Sequence, residues 1–109
     1  LNYPFHKDFP QYELAKKQMK GTGGLFSMQI KAENIAQVEA FCNHLKRFLL
    51  ACSWGGHESL VFPMCVLHTS ENYGKTDLPW NLIRFYIGLE NPKVLIEDLQ
   101  NAFDFAFKA

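Results

Sequence analysis

The sequence predicts an α+β domain: a small, mainly antiparallel sheet with helices on one face. Three observations predict it. Segments 25–31 and 80–88 alternate with the two-residue period of a half-buried strand. Segments 34–48 and 91–106 repeat apolar residues at helical spacing. The order along the chain is helix, strand, helix, two short strands, strand, helix, with no internal repeat, linker or low-complexity segment.

Each element has its own local cause. Leu1 to Pro10 is irregular, because Pro4 and Pro10 restrict their neighbours. Pro10 suits the first turn of a helix predicted over 9–19, with Tyr12, Ala15 and Met19 on one side and Lys16, Lys17 and Lys20 towards solvent. Gly21-Thr22-Gly23-Gly24 stops it. In the strand over 25–31, Phe26, Met28 and Ile30 point one way and Leu25, Ser27, Gln29 and Lys31 the other. Asn34, followed by Gln37, forms a capping box for a helix that carries Ile35, Val38, Phe41, Cys42, Leu45 and Phe48 and ends near Phe48. A short strand is expected over 49–53. Gly55-Gly56 marks a turn or a close approach. Leu60-Val61-Phe62 reads as a strand ended by Pro63. Residues 69–79 are polar and turn-rich and predict a mobile surface loop. In the strand over 80–88, Asn81, Ile83, Phe85 and Ile87 share one face, and Trp80, Leu82, Arg84 and Tyr86 the other. Asn91-Pro92 starts the last helix, whose stripe is Leu95, Leu99, Ala102, Phe103 and Ala106.

Size and charge narrow the function. The 109 residues make one domain, and a 48% hydrophobic content is enough for a core rather than a disordered chain. Eleven Lys and Arg balance eleven Asp and Glu, which argues against a nucleic-acid or anionic-membrane binder. No run approaches the ~18 apolar residues of a membrane span, and no signal-peptide pattern opens the chain. The odd set Cys42, Cys52 and Cys65 predicts reduced thiols in a cytoplasmic protein. The chain begins at Leu1 without a methionine, which fits either a piece of something longer or a chain whose tag has been removed.

Two-layer packing leaves one sheet face uncovered. That face is expected to carry Trp80, Leu82, Arg84 and Tyr86, with Ser27 and Gln29. Arg84 is one of only two arginines against nine lysines. Mid-strand, its planar fork suits a carboxylate or phosphate. The alternative is a cross-strand salt bridge, or a guanidinium lying flat over aromatic rings. Cys52, His57, Cys65 and His68 fall close together without metal-ligand spacing, so no metal site is predicted. Cys52 and Cys65 sit among apolar residues and read as inert core thiols. His44 reads as a solvated residue on the polar side of its helix. No local signature supports a Cys–His nucleophile pair. Gly21-x-Gly23-Gly24 follows a helix and precedes a strand, the wrong order for a phosphate-cradling turn.

Two segments are together specific: Ser53-Trp-Gly-Gly-His-Glu-Ser-Leu60 and Leu82-Ile-Arg-Phe-Tyr-Ile-Gly-Leu-Glu90. They resemble the C-terminal domain of the Cys/Met-metabolism (transsulfuration) family of pyridoxal-phosphate (PLP) enzymes. Tyr3-Pro4 with Pro10-Gln-Tyr-Glu-Leu-Ala-Lys-Lys-Gln-Met19, Gly23-Gly24-Leu-Phe-Ser27 and Leu95-Ile-Glu-Asp-Leu99 extend the resemblance over essentially the whole chain. Ser53-Trp54-Gly55, where the family often has Ser-Leu-Gly, is more similar to bacterial cystathionine β-lyase. Cys52 stands where some members carry glutamate or tyrosine. The family's His-Pro-Ala-Ser-Met-Thr-His segment reads here as Phe62-Pro-Met-Cys-Val-Leu-His68, without its polar centre.

The resemblance implies the small C-terminal domain of the aspartate-aminotransferase-like (fold type I PLP) fold, packed on a large domain beside the active site. It implies that Arg84 grips the substrate α-carboxylate, that Ser53 helps position it, and that the backbone at Trp54 assists. The implied substrate is a sulfur amino acid, and the implied assembly is a cytoplasmic homotetramer. The family's Schiff-base lysine and phosphate cup lie in the large domain, and none of the nine lysines here sits in such a motif. The 109 residues alone are therefore expected to bind no PLP and catalyse nothing, and to self-associate through the face that the large domain would cover. The other reading is a free-standing module that binds an amino acid or a protein partner through the Trp80, Leu82 and Tyr86 face.

Overall fold

Gln11 leads into helix α1 (Tyr12–Gln18), which buries Ala15. It is shorter than the 9–19 span read from the sequence. The backbone turns extended at Met19, so that side chain leaves the apolar stripe and is 40% exposed. The computed structural model describes residues 1–68 and 70–108.

After Gly24 the chain forms β1 (Leu25–Gln29). Helix α2 (Ile35–His44) follows, capped by Asn34, whose side-chain oxygen accepts from Gln37 N at 3.0 Å. The return bond of the box is displaced by one residue: Glu33 N, not Asn34 N, donates to Gln37 Oε1 at 2.7 Å. The helix ends four residues before Phe48. Leu45 is extended, and the Asp98 carboxylate accepts from Lys46 N at 2.9 Å and Arg47 N at 2.7 Å. Those bonds satisfy N–H groups that a continuing helix would have paired internally. Leu45 and Phe48 stay buried in the bend. The strand expected over 49–53 contracts to β2 (Leu49–Leu50).

The chain then forms β3 (Leu60–Pro63) and a 3₁₀ turn at Met64–Leu67. A second 3₁₀ turn, Tyr73–Lys75, lies in the irregular surface segment, of which Thr69 is outside the described residues. β4 (Leu82–Tyr86) and α3 (Pro92–Ala106) complete the fold, with Asn91 Oδ1 accepting from Lys93 N.

The sheet order is β1-β4-β3-β2. β4 is antiparallel to both neighbours, and only the two-residue β2 runs parallel to β3. Asn2 adds an isolated bridge to Ser27 on the free edge of β1. Pro63 ends β3 opposite Ile83, beyond the reach of β2, so its missing N–H leaves no ladder partner unpaired.

α2 and α3 pack on each other and on one sheet face. Val38, Phe41, Cys42, Leu95 and Ala102 meet Val61, Ile83 and Phe85 in the core, and Phe41 lies 4.5 Å from Phe103 between ring centroids. This is the predicted α+β layering. One expected member of the other face moves. Trp80 packs against the core, because the alternation stops short of it. β4 begins only at Leu82, after a turn in which Leu82 N donates to Pro79 O.

Candidate functional site

The face of the sheet away from α2 and α3 centres on Arg84. In register it lies between Ser27 of β1 and Phe62 of β3. A cavity of about 430 Å³ opens over this face. Leu25, Phe62, Met64, Leu78 and Leu82 form much of its wall, and among the described residues Arg84 is the only charged one lining it. A lone guanidinium in an apolar wall favours an anion, since low local polarity strengthens the charge pairing.

The Arg84 guanidinium is held in two ways. Its Nη2 donates to the Cys52 carbonyl at 2.5 Å, and its central carbon lies 5.4 Å from the Phe62 ring centroid. The stacking alternative read from the sequence is thus present. A salt bridge is not: among the described residues no carboxylate lies within ion-pair distance of Arg84. Several of its five donors remain for an anion.

Ser53 and Trp54 follow Cys52 directly, in the exposed loop between β2 and β3. The Ser53 hydroxyl has no hydrogen-bond partner among the described residues, and Trp54 is 59% exposed. Gly55 has φ +93°, which explains its glycine; Gly56 has ordinary φ. The loop is tied down further along. Tyr86 Oη donates to Gly56 O at 3.0 Å, and Leu89 N donates to His57 O at 2.8 Å. Ser59 is fully buried; its N and Oγ donate to the two oxygens of Glu90 at 2.7 and 2.6 Å, and its Oγ accepts from Gly88 N at 2.8 Å. Gly88 runs so close to this loop that a Cβ there would sit 2.6 Å from the Glu58 carbonyl carbon. Burial pushes the Glu90 carboxyl up, but the Ser59 bonds, its own backbone N–H and the nearby His57 outweigh it and hold it below 4.5. Sequence reasoning missed this lock, although Ser59 and Glu90 both lie inside the two segments that carried the family resemblance.

A family model described as Cys/Met metabolism PLP-dependent enzyme matches residues 1–104. The chain belongs to the Cys/Met-metabolism family of PLP-dependent enzymes. It is 41% identical to cystathionine gamma-lyase of Macaca fascicularis over 104 residues, 92% of this chain and 25% of that protein. It is 37% identical to an L-alanine/L-glutamate racemase of Wolbachia pipientis, over 91% of this chain and 24% of that one. The solved cystathionine gamma synthase of Xanthomonas oryzae in complex with cystathionine superposes with a TM-score of 0.81 at 31% identity, over 95% of this chain and 28% of that one. The chain thus spans about a quarter of the length of these family members.

The family's fold is the one expected, that of its PLP fold type I members. PLP is the cofactor of this family. All nine lysines are exposed, and none is among the described residues lining the Arg84 cavity, so that cavity presents no lysine amine to PLP. Among the described residues no three His, Cys, Asp or Glu side chains gather as a metal site. No described helix is long and apolar enough to cross a membrane.

Two expectations about individual side chains fail. Cys52 is exposed, not a core thiol, because β2 ends before it and the chain leaves the sheet. Cys42 and Cys65 are buried, and burial, with the neighbouring Cys65, pushes the Cys42 thiol up to about 12. His44 is not simply solvated: its ring stacks on Phe105 at 4.2 Å and 10°. A residue on the polar side of α2 still meets α3 where the two helices converge.

Proposed function

We propose that the chain is the C-terminal domain of a PLP-dependent lyase or transferase of sulfur amino-acid metabolism, similar to cystathionine β-lyase, and that it positions the substrate α-carboxylate. The observation that carries this reading is Arg84: among the described residues the one charge lining the cavity, held by a backbone carbonyl and an aromatic ring, with no described carboxylate paired to it. A guanidinium fork bonds a carboxylate through two parallel N–H donors, which fixes the orientation of the amino acid as well as its place. Ser53 and the backbone at Trp54 follow the carbonyl that Arg84 grips; neither is among the described residues lining the cavity, and their proposed part is to add donors from the loop beside Arg84. Fixed orientation lowers the entropic part of the barrier at the bond that reacts.

PLP supplies the electron sink in this family, and the rest of the enzyme supplies PLP and its lysine. The similarity to an alanine/glutamate racemase supports the division of labour, since an α-carboxylate is common to every amino acid. The β-lyase assignment rests on Ser53-Trp54-Gly55, Leu82-Ile-Arg84 and Ile87-Gly-Leu-Glu90 alone, since the 36% identity to cystathionine beta-lyase of Haemophilus influenzae does not exceed the 41% to cystathionine gamma-lyase. The same reading makes the intact protein a cytoplasmic homotetramer.

The test is Arg84→Ala in the intact enzyme. Loss of a charged partner for a buried carboxylate raises the barrier for kcat/KM by roughly 2–5 kcal/mol, about 30- to 5,000-fold. An unchanged kcat/KM on L-cystathionine and other amino-acid substrates refutes the reading. The 109 residues alone, mixed with PLP, are expected to show no turnover.

A further inference from the structure

The loop Ser53–Gly55 is fastened at both ends by neighbouring side chains of a single strand. Arg84 takes the Cys52 carbonyl just before the loop, and Tyr86 takes the Gly56 carbonyl just after it. The two side chains stand two residues apart on β4, on the same sheet face. Between the two fastenings lie Ser53, whose hydroxyl is unpaired within the described chain, the exposed Trp54, and Gly55 with its left-handed backbone. Further along the chain, Ser59 donates from N and Oγ to the two oxygens of Glu90.

We infer that Tyr86 is a positioning residue for carboxylate binding: its hydroxyl sets the height of the Ser53–Gly55 loop over the Arg84 fork. This inference rests on the carboxylate-binding role proposed for Arg84. Two features of the geometry single out Tyr86. Arg84 uses its Nη2 on the Cys52 carbonyl and keeps its other donors for the anion, and among the described residues Tyr86 is the other side-chain tie between this loop and β4. Its hydroxyl also donates to a backbone carbonyl rather than to a side chain. The loop's backbone, and with it the N–H groups at Ser53 and Trp54, is therefore what Tyr86 fixes. A Phe at this position keeps the ring against the sheet and removes only the tie.

The experiment is a double-mutant cycle in the intact enzyme, with L-cystathionine as substrate: Tyr86→Phe, Arg84→Ala and the pair. Tyr86→Phe is expected to raise KM about three- to tenfold, the range of one net hydrogen bond, with kcat and the thermal midpoint essentially unchanged. On the Arg84→Ala background the same substitution is expected to have almost no further effect, since the carboxylate is no longer held where the loop could meet it. An unchanged KM in Tyr86→Phe, or full additivity with Arg84→Ala, overturns the inference. A fall in thermal midpoint with kcat and KM altered together also overturns it, because Tyr86 is then only structural. If Arg84→Ala alone leaves kcat/KM unchanged, it is the carboxylate role of Arg84 that fails; if that variant is impaired and Tyr86→Phe is silent, only the positioning role fails.

Discussion

Ser59→Ala tests the lock beneath the loop. The Ser59 hydroxyl is fully buried and serves two partners, donating to Glu90 at 2.6 Å and accepting from Gly88 N at 2.8 Å. A hydrogen bond to an ionised carboxylate contributes about 1.5–3 kcal/mol net, and a buried donor left unpaired costs about 1–3 kcal/mol. Gly88 is half-buried, so the second figure falls in its lower half. The expected loss is therefore roughly 2.5–5 kcal/mol, a large share of the ~5–15 kcal/mol that holds a domain of this kind. Equilibrium unfolding in urea measures it, as a lower midpoint with an unchanged slope. A loss under about 1 kcal/mol would mean that water replaces the hydroxyl freely, and the argument from burial would be wrong.

Glu90 gives the same lock a pH dependence of known sign. Its carboxyl lies below 4.5 in the fold, so the folded chain binds that proton more weakly than the unfolded chain does. The stability it contributes is present above 4.5 and is lost as pH falls through the folded value. Glu90→Gln should therefore be less stable than the parent at neutral pH, with the gap closing in acid. A gap that stays constant down to about pH 3 would refute this assignment.

Two more predictions concern the other half of the molecule. Asp98→Ala removes the acceptor for Lys46 N and Arg47 N and should cost roughly 2–4 kcal/mol in urea unfolding, with Asp98→Asn recovering part of it; equal stability of the Ala variant would show that solvent satisfies both N–H groups. A small alkylating reagent at mildly alkaline pH should label only Cys52 in the native chain, and all three cysteines in denaturant, since Cys42 and Cys65 are buried with raised thiols; native labelling of Cys42 would show that the core opens readily.

What the sequence conveyed and what it concealed have separate physical causes. β1, β4 and α3 are legible because one face of each packs on the core and is less accessible than the other: Phe26 and Met28 of β1 against exposed Leu25 and Gln29, and buried Ile83 and Phe85 of β4 against half-buried Leu82, Arg84 and Tyr86. α2 is overrun by four residues because Leu45 and Phe48 remain buried after the helix has ended. Burial continues through a bend as readily as through a helix, and the group that stops the helix, Asp98, lies fifty-two residues away from Lys46. Strand parity carried past the strand's end puts Trp80 on the outer face, whereas it packs against the core. The same division holds at the site. Arg84 stood out because a scarce, charged residue interrupts an apolar strand. Its partner did not, because the Cys52 carbonyl is a group that every residue carries, and so is the Gly56 carbonyl that Tyr86 holds. A sequence names its side chains, whereas this site is finished by backbone. The loop can therefore vary at Cys52 without losing the contact to Arg84, provided that Gly55 keeps its left-handed turn and Gly88 leaves the backbone room to approach.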